Sequence, residues 1–141
     1  MAKIKLEIVT AERMVYSADV DEIIAPGASG ELGIMSQHAP LMTMIMPGMI
    51  TIKNGSDELN LAVSGGFMDV CPERVIVLAD AAERADEIDM ARAEEARRRA
   101  EEAKANAATA GAEAQMAAEA SLARALARIK VAQRRRREKP V

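Results

Sequence analysis

A chain of 141 residues is one ordinary domain or two very small ones, and half of it is hydrophobic, enough for a core. Only Tyr16 and Phe67 are aromatic and Cys71 is the single cysteine, which argues against base stacking on rings, an internal disulfide and a cysteine-based zinc site. The net charge of −3 hides an asymmetry: an acidic body precedes a basic end, where from Leu122 onward 8 basic residues face Glu138 alone, so an acidic partner or a nearby membrane surface is expected.

The chain begins Met1-Ala2-Lys3-Ile4-Lys5, without the long apolar run of a secretory signal, and no stretch approaches bilayer length. A soluble or peripheral protein is expected. Ile4, Leu6 and Ile8 alternate with charged residues, the period-2 pattern of a half-buried strand. Val20, Glu22 and Ile24 continue that pattern up to Pro26-Gly27. In Gly30-Glu31-Leu32-Gly33-Ile34 the two glycines mark tight turns, with Leu32 and Ile34 expected in the core.

Met42, Met44 and Met46 share one face of an extended segment, either as core filler or as an adaptable protein interface. Residues 49–53 and 58–63 flank Asn54-Gly55, a strong hairpin signal. Residues 67–70 and 75–79 form a second pair around Pro72-Glu73-Arg74. Short strands at this spacing predict an all-β sandwich or barrel.

The period changes near Ala81. From there to Arg137 no proline occurs, and Gly111 alone interrupts a run of strong helix formers. Ala93, Ala96, Ala100 and Ala103 form one helical stripe; Leu122, Ala125, Leu126, Ile129 and Ala132 form another, with a turn over 106–111. The prediction is a sandwich domain over 1–86 followed by an antiparallel helical hairpin over 87–141. A buried Ala contributes well under the roughly 1.5–3 kcal/mol of a buried Leu, so weak, reversible docking of the hairpin is expected.

Three motifs stand in order: Gly30-Glu31-Leu32-Gly33-Ile34 with His38-Ala39-Pro40-Leu41; Val63-Ser64-Gly65-Gly66-Phe67; and Leu78-Ala79-Asp80-Ala81-Ala82-Glu83-Arg84 leading to Ile88-Asp89-Met90-Ala91-Arg92-Ala93. This series resembles the epsilon subunit of bacterial and chloroplast F-type ATP synthases over nearly the whole chain. The resemblance implies a ten-stranded sandwich at the foot of the rotor, bound to the gamma subunit and the c-ring. It also implies a hairpin that either folds against the sandwich or extends along gamma and blocks ATP hydrolysis. It implies further that the chain has no catalytic residue and requires no cofactor. The expected placement is peripheral, meeting the membrane only through the complex, with the cytoplasmic face of a cell inner membrane favoured over the thylakoid.

Residue by residue, the resemblance makes Glu31, His38, Met42 and Met44 candidates for the c-ring and gamma interface. Glu83, Ile88, Asp89, Arg92, Ala93, Arg99, Arg124 and Arg128 match a site that holds ATP as a regulatory ligand in some bacterial members, with arginines on the phosphates. The local alternative is that Asp89 caps a helix and pairs with Arg92. Arg124, Arg128, Lys130, Arg134 and Arg135 are candidates for inhibitory contacts with an acidic segment of the catalytic beta subunit; a solvated, frayed charge run is the plain alternative. A metal site is not expected with one histidine and no cysteine cluster. The rival functions are nucleic-acid binding through the arginine-rich tail and a coiled-coil adaptor. The acidic body and missing aromatics argue against the first, and the lack of a sustained Leu/Ile heptad argues against the second.

Overall fold

The computed structural model describes residues 2–107 and 110–138, and the side chains of all of these except Asp86 and residues 135–138. Ten strands come first: β1 (Ile4–Val9), β2 (Met14–Val20), β3 (Glu22–Gly27), β4 (Gly30–Met35) and β5 (Leu41–Ile45), then β6 (Gly48–Asn54), β7 (Asp57–Val63), β8 (Gly66–Val70), β9 (Arg74–Ala79) and β10 (Ala82–Arg84). The hydrogen-bonded order is β10-β7-β6-β3-β5-β8-β9-β1-β2, with β4 on β3. A single register pair, Gly27 opposite Ile45, joins β3 to β5. The ladder folds over there into two layers, β10-β7-β6-β3-β4 and β5-β8-β9-β1-β2.

The core lies between the layers. Ile4, Leu6 and Ile8 of β1 are fully buried, as the alternation predicts, and meet Val75 and Val77 of β9, Met68 and Val70 of β8, and Ile50, Ile52 and Leu61 of β6 and β7. The two predicted pairs are present: Asn54 opposes Asp57 across Gly55, which takes φ 64, and Val70 opposes Val75. Gly55 can hold this left-handed turn because it has no Cβ.

Two expectations change. Val20, Glu22 and Ile24 do not share one strand face, because the chain bends at Asp21. Val20 ends β2, and in β3 it is Ile23 and Ala25 that are buried. Asp21 N–H donates to Lys53 O at 3.0 Å, and its carboxylate accepts from Gly55 N–H at 2.6 Å, so the alternation restarts one residue later. The segment from Gly30 to Met35 is also a full strand on β3 rather than consecutive turns, with Ile34 buried and Leu32 packed on the core margin.

After β10 a 3-10 turn, Ala85–Glu87, leads to α1 (Met90–Ala107) and α2 (Ala112–Glu138). The junction is tied to the β1–β2 turn. Arg13 pairs with Glu87 at 2.8 Å, and Arg84 lies 5.8 Å over the Tyr16 ring while donating to Val15 O. Asp89 caps α1 by accepting from Arg92 N–H at 3.2 Å, a contribution of about 1 kcal/mol. Gly111, at φ 109, precedes α2.

Helix α1 packs on α2, and α2 packs on β6 and β7. The burial of α2 explains how. Ala118, Ala125, Ile129 and Ala132 form one buried stripe; Ala127 and Val131 are buried on the opposite side. Arg134 continues the second stripe and pairs with Glu58 of β7, which assigns that side to the sandwich and the first to α1. Leu126, expected on the contact face, is 46% exposed because it projects between the two stripes. In α1, Ala93, Ala100 and Ala107 are buried, whereas Ala103 is exposed at the edge of the seam.

Candidate functional site

Where sandwich, α1 and α2 meet there is an open cleft of about 690 Å³. Its sandwich wall comprises Ala62, Val63, Ser64, Asp80, Ala81 and Glu83; α1 adds Ala96, Arg99, Ala100 and Ala103; α2 adds Ser121, Arg124, Ala125 and Arg128. The alanines leave the space open, since a methyl group fills little of it. Into this small-residue frame project three guanidinium groups and two carboxylates. Arg128 Nε lies 3.1 Å from Glu83 Oε1 and its Nη2 3.2 Å from Oε2, a forked contact on a partly buried pair. Arg124 Nη2 donates to Ser121 Oγ at 3.0 Å, one turn back on the same helix. The cleft therefore offers fixed donors to an anionic group, bordered by Asp80 and Glu83.

Of the eight residues matched to a nucleotide site, Glu83, Arg99, Arg124 and Arg128 line this cleft. The other four do not line it. Ile88 is a half-buried junction residue, Asp89 is the α1 cap, and Ala93 is buried against the hairpin seam. Arg92 stands in solvent, its Nε 3.9 Å from Asp89 Oδ2. The local reading of Asp89 and Arg92 thus describes the contacts they make. Ser64, Asp80 and Ser121 also line the cleft, and no sequence pattern marks them as site residues. Asp80 and Ser64 sit in two of the three ordered motifs, but only folding brings them opposite α2.

A second feature covers the outer face of the β5-β8-β9-β1-β2 layer. Met44 opposes Phe67, Phe67 opposes Leu78, Leu78 opposes Val9, and Val9 opposes Met14. Met44, Phe67, Leu78 and Met14 are each more than half exposed, and Met42 beside them is 69% exposed. An apolar row across five strands is far from the usual scatter of single exposed hydrophobics. The methionine face is therefore outward, not core filler. Leu78 and Ile76 are the sequence signal of this face, being apolar at the outward positions of β9, where a solvated face would be polar.

The other interface candidates lie apart from this row. His38 is half-buried in the loop after β4, its Nδ1 2.7 Å from Ala39 O. Glu31 is exposed on β4 and borders a small depression with Glu58, Lys130 and Arg134, on the hairpin side. Lys130 is exposed; the Arg135 side chain lies outside the described residues. Among the described residues no group of three or more His, Cys, Asp or Glu side chains could hold a metal, and no helix is long and apolar enough to cross a membrane.

This two-body arrangement has known counterparts. The profile of the ATP synthase delta/epsilon chain β-sandwich domain matches residues 3–85, and that of the delta/epsilon chain long α-helix domain matches residues 86–133. The chain belongs to the epsilon-chain family of F-type ATP synthases. An ATP synthase epsilon chain of Dehalococcoides mccartyi is 54% identical over the whole of both chains. That of Chloroflexus aggregans is 55% identical, covering 92% of each. That of Desulforamulus reducens is 47% identical, covering 92% of this chain and 96% of its own. The fold also matches a chain of the Euglena gracilis mitochondrial ATP synthase OSCP/F1/c-ring structure at a TM-score of 0.78 and 22% identity, covering 94% of this chain and 82% of that one. The family's sandwich and hairpin domains are thus both present here.

Proposed function

We propose that this epsilon chain is a non-catalytic coupling and regulatory part of the central stalk. One observation carries the reading: the two outer faces of the sandwich differ in kind. The β6–β7 face is the more polar of the two, with Thr51, Lys53, Glu58 and Asn60 beside Ala62 and Met49, and is covered by α2. The opposite face presents the row from Met44 to Met14 uncovered. The apolar face is suited to a permanent partner, for which the gamma subunit is the candidate, and the polar face to a reversible one, the chain's own hairpin. His38 and the loop at the end of the sandwich would then turn toward the c-ring.

The hairpin is docked here. In the extended position its basic residues, Arg124, Arg128, Lys130, Arg134 and Arg135, would meet an acidic segment of the catalytic beta subunit and block ATP hydrolysis. The cleft supports ATP as the ligand of the docked state. Arg99 and Arg124 are placed to bind phosphate oxygens, and both sandwich and hairpin line the space, so a bound ligand would oppose release. Peripheral placement on the cytoplasmic side of the membrane follows from that role. The test is assembly and turnover. The chain should co-purify with gamma, and deleting residues after Arg92 should raise ATP hydrolysis by the assembled enzyme. Unchanged hydrolysis would rule out an inhibitory hairpin.

A further inference from the structure

The buried polar side chains among the described residues are Thr51, 5% exposed, and Asn60, 4% exposed. They are register partners on β6 and β7, on the face that α2 covers. Thr51 Oγ1 donates to Asn60 Oδ1 at 2.8 Å, and Asn60 Nδ2 reaches Glu58 Oε2 at 3.5 Å. The same Glu58 oxygen lies 3.4 Å from Arg134 Nη2 on α2. Under a helix packed through Ala127 and Val131, apolar residues at 51 and 60 would bury more hydrophobic area. A hydrogen-bonded Thr–Asn pair instead orients a carboxylate.

We propose that Glu58 is the sandwich half of a latch on the second helix, aimed at Arg134 by Thr51 and Asn60. The second half-latch is Glu83, which holds Arg128 six residues earlier, about 9 Å along the helix axis. The two pairs bracket the docked stretch. An acidic surface that takes Arg128 and Arg134 must displace both glutamates, so release from the sandwich and capture elsewhere are one exchange of carboxylates. The face left behind holds Thr51, Asn60 and Glu58 beside the apolar Met49 and Ile24, so on release its polar groups return to water. This rests on the docked geometry and holds whether or not the hairpin inhibits hydrolysis.

Hydrogen exchange on the full-length chain tests it. Glu58 is on the sandwich, so substituting it can alter exchange in α2 only through docking. Glu58→Gln and Glu58→Arg should speed exchange of amides 125–132 about two- to fivefold, the range of partly exposed ion pairs, while β8 and β9 amides keep their rates. Arg134→Glu alone should do the same, and the double reversal Glu58→Arg/Arg134→Glu should restore the parent rate. Thr51→Val should speed α2 exchange in the parent, and by a smaller factor beside Arg134→Glu. Unchanged α2 exchange in Glu58→Gln, or no recovery in the double reversal, would overturn the latch. Equal acceleration in β8 and β9 would also overturn it, since that is loss of the sandwich and not release.

Discussion

Arg128 and Glu83 stand 45 positions apart in the chain, yet their side chains meet at 3.1 Å across the cleft between sandwich and hairpin. Each is only about a third exposed, so the pair is better shielded from solvent than the helix ion pairs Arg92–Asp89 and Arg97–Glu94. It ties the last strand, β10, to the second helix.

Breaking this pair should loosen the hairpin without unfolding the sandwich. Glu83→Gln is expected to cost the docked state about 1 kcal/mol, near the upper end for partly exposed pairs. Adding about 0.5 M salt should erase most of the difference between Glu83→Gln and the parent. A salt-independent difference in hairpin exchange would assign the effect to packing.

The cleft should bind ATP through Arg99 and Arg124. Titrating the isolated chain at millimolar ATP is expected to give a saturable signal, weakened at least about tenfold in Arg99→Ala or Arg124→Ala, about 1.4 kcal/mol of charge-assisted bonding. Arg92→Ala, which alters a solvent-facing side chain outside the cleft, should bind as the parent does. Absence of saturation in the parent would remove ATP from the mechanism.

Phe67 sits mid-row on the uncovered sheet face. Phe67→Glu should change thermal stability by less than about 0.5 kcal/mol, because the ring is already half in water. It should nevertheless abolish co-purification with gamma, as a charge at the centre of an apolar contact does. Retained co-purification would move the gamma surface elsewhere.

Gly66 takes φ 148, and a Cβ there would lie 2.1 Å from Leu78 O. Gly66→Ala must push β8 and β9 apart, with a destabilisation of about 3 kcal/mol or more. A denaturation midpoint equal to the parent would contradict that packing.

Acid should weaken the β6–β7 turn through Asp21. Its pKa is lowered, chiefly because the charged carboxylate accepts from Gly55 N–H, with Lys3 also favouring the charged form. A depressed folded-state pKa means the stabilisation is present above the unfolded value of about 3.9 and is lost as pH falls through the folded one. Asp21→Asn should therefore be less stable than the parent at pH 6, and the gap should close as pH falls through the lowered folded-state pKa. A gap that persists at low pH would assign the effect to packing.

The sequence alone was enough to place the family and the change from strands to helices, because the carriers of both are local. Alternation in β1, the Asn54-Gly55 turn and the alanine runs act over a few residues, and the ordered glycine motifs need no distant partner. It could not set the phase of β3, since the bend at Asp21 depends on Lys53 and Gly55 far along the chain. Nor could it divide α2 into two buried stripes, because a helix held between α1 and a sheet has two apolar sides and one periodicity cannot separate them. Which methionines face outward, which four of eight matched residues share a cleft, and that Thr51, Asn60 and Glu58 lie beneath Arg134 were decided only when the layers closed. Those pairings join residues tens of positions apart, and their geometry comes from packing between elements that no local pattern encodes.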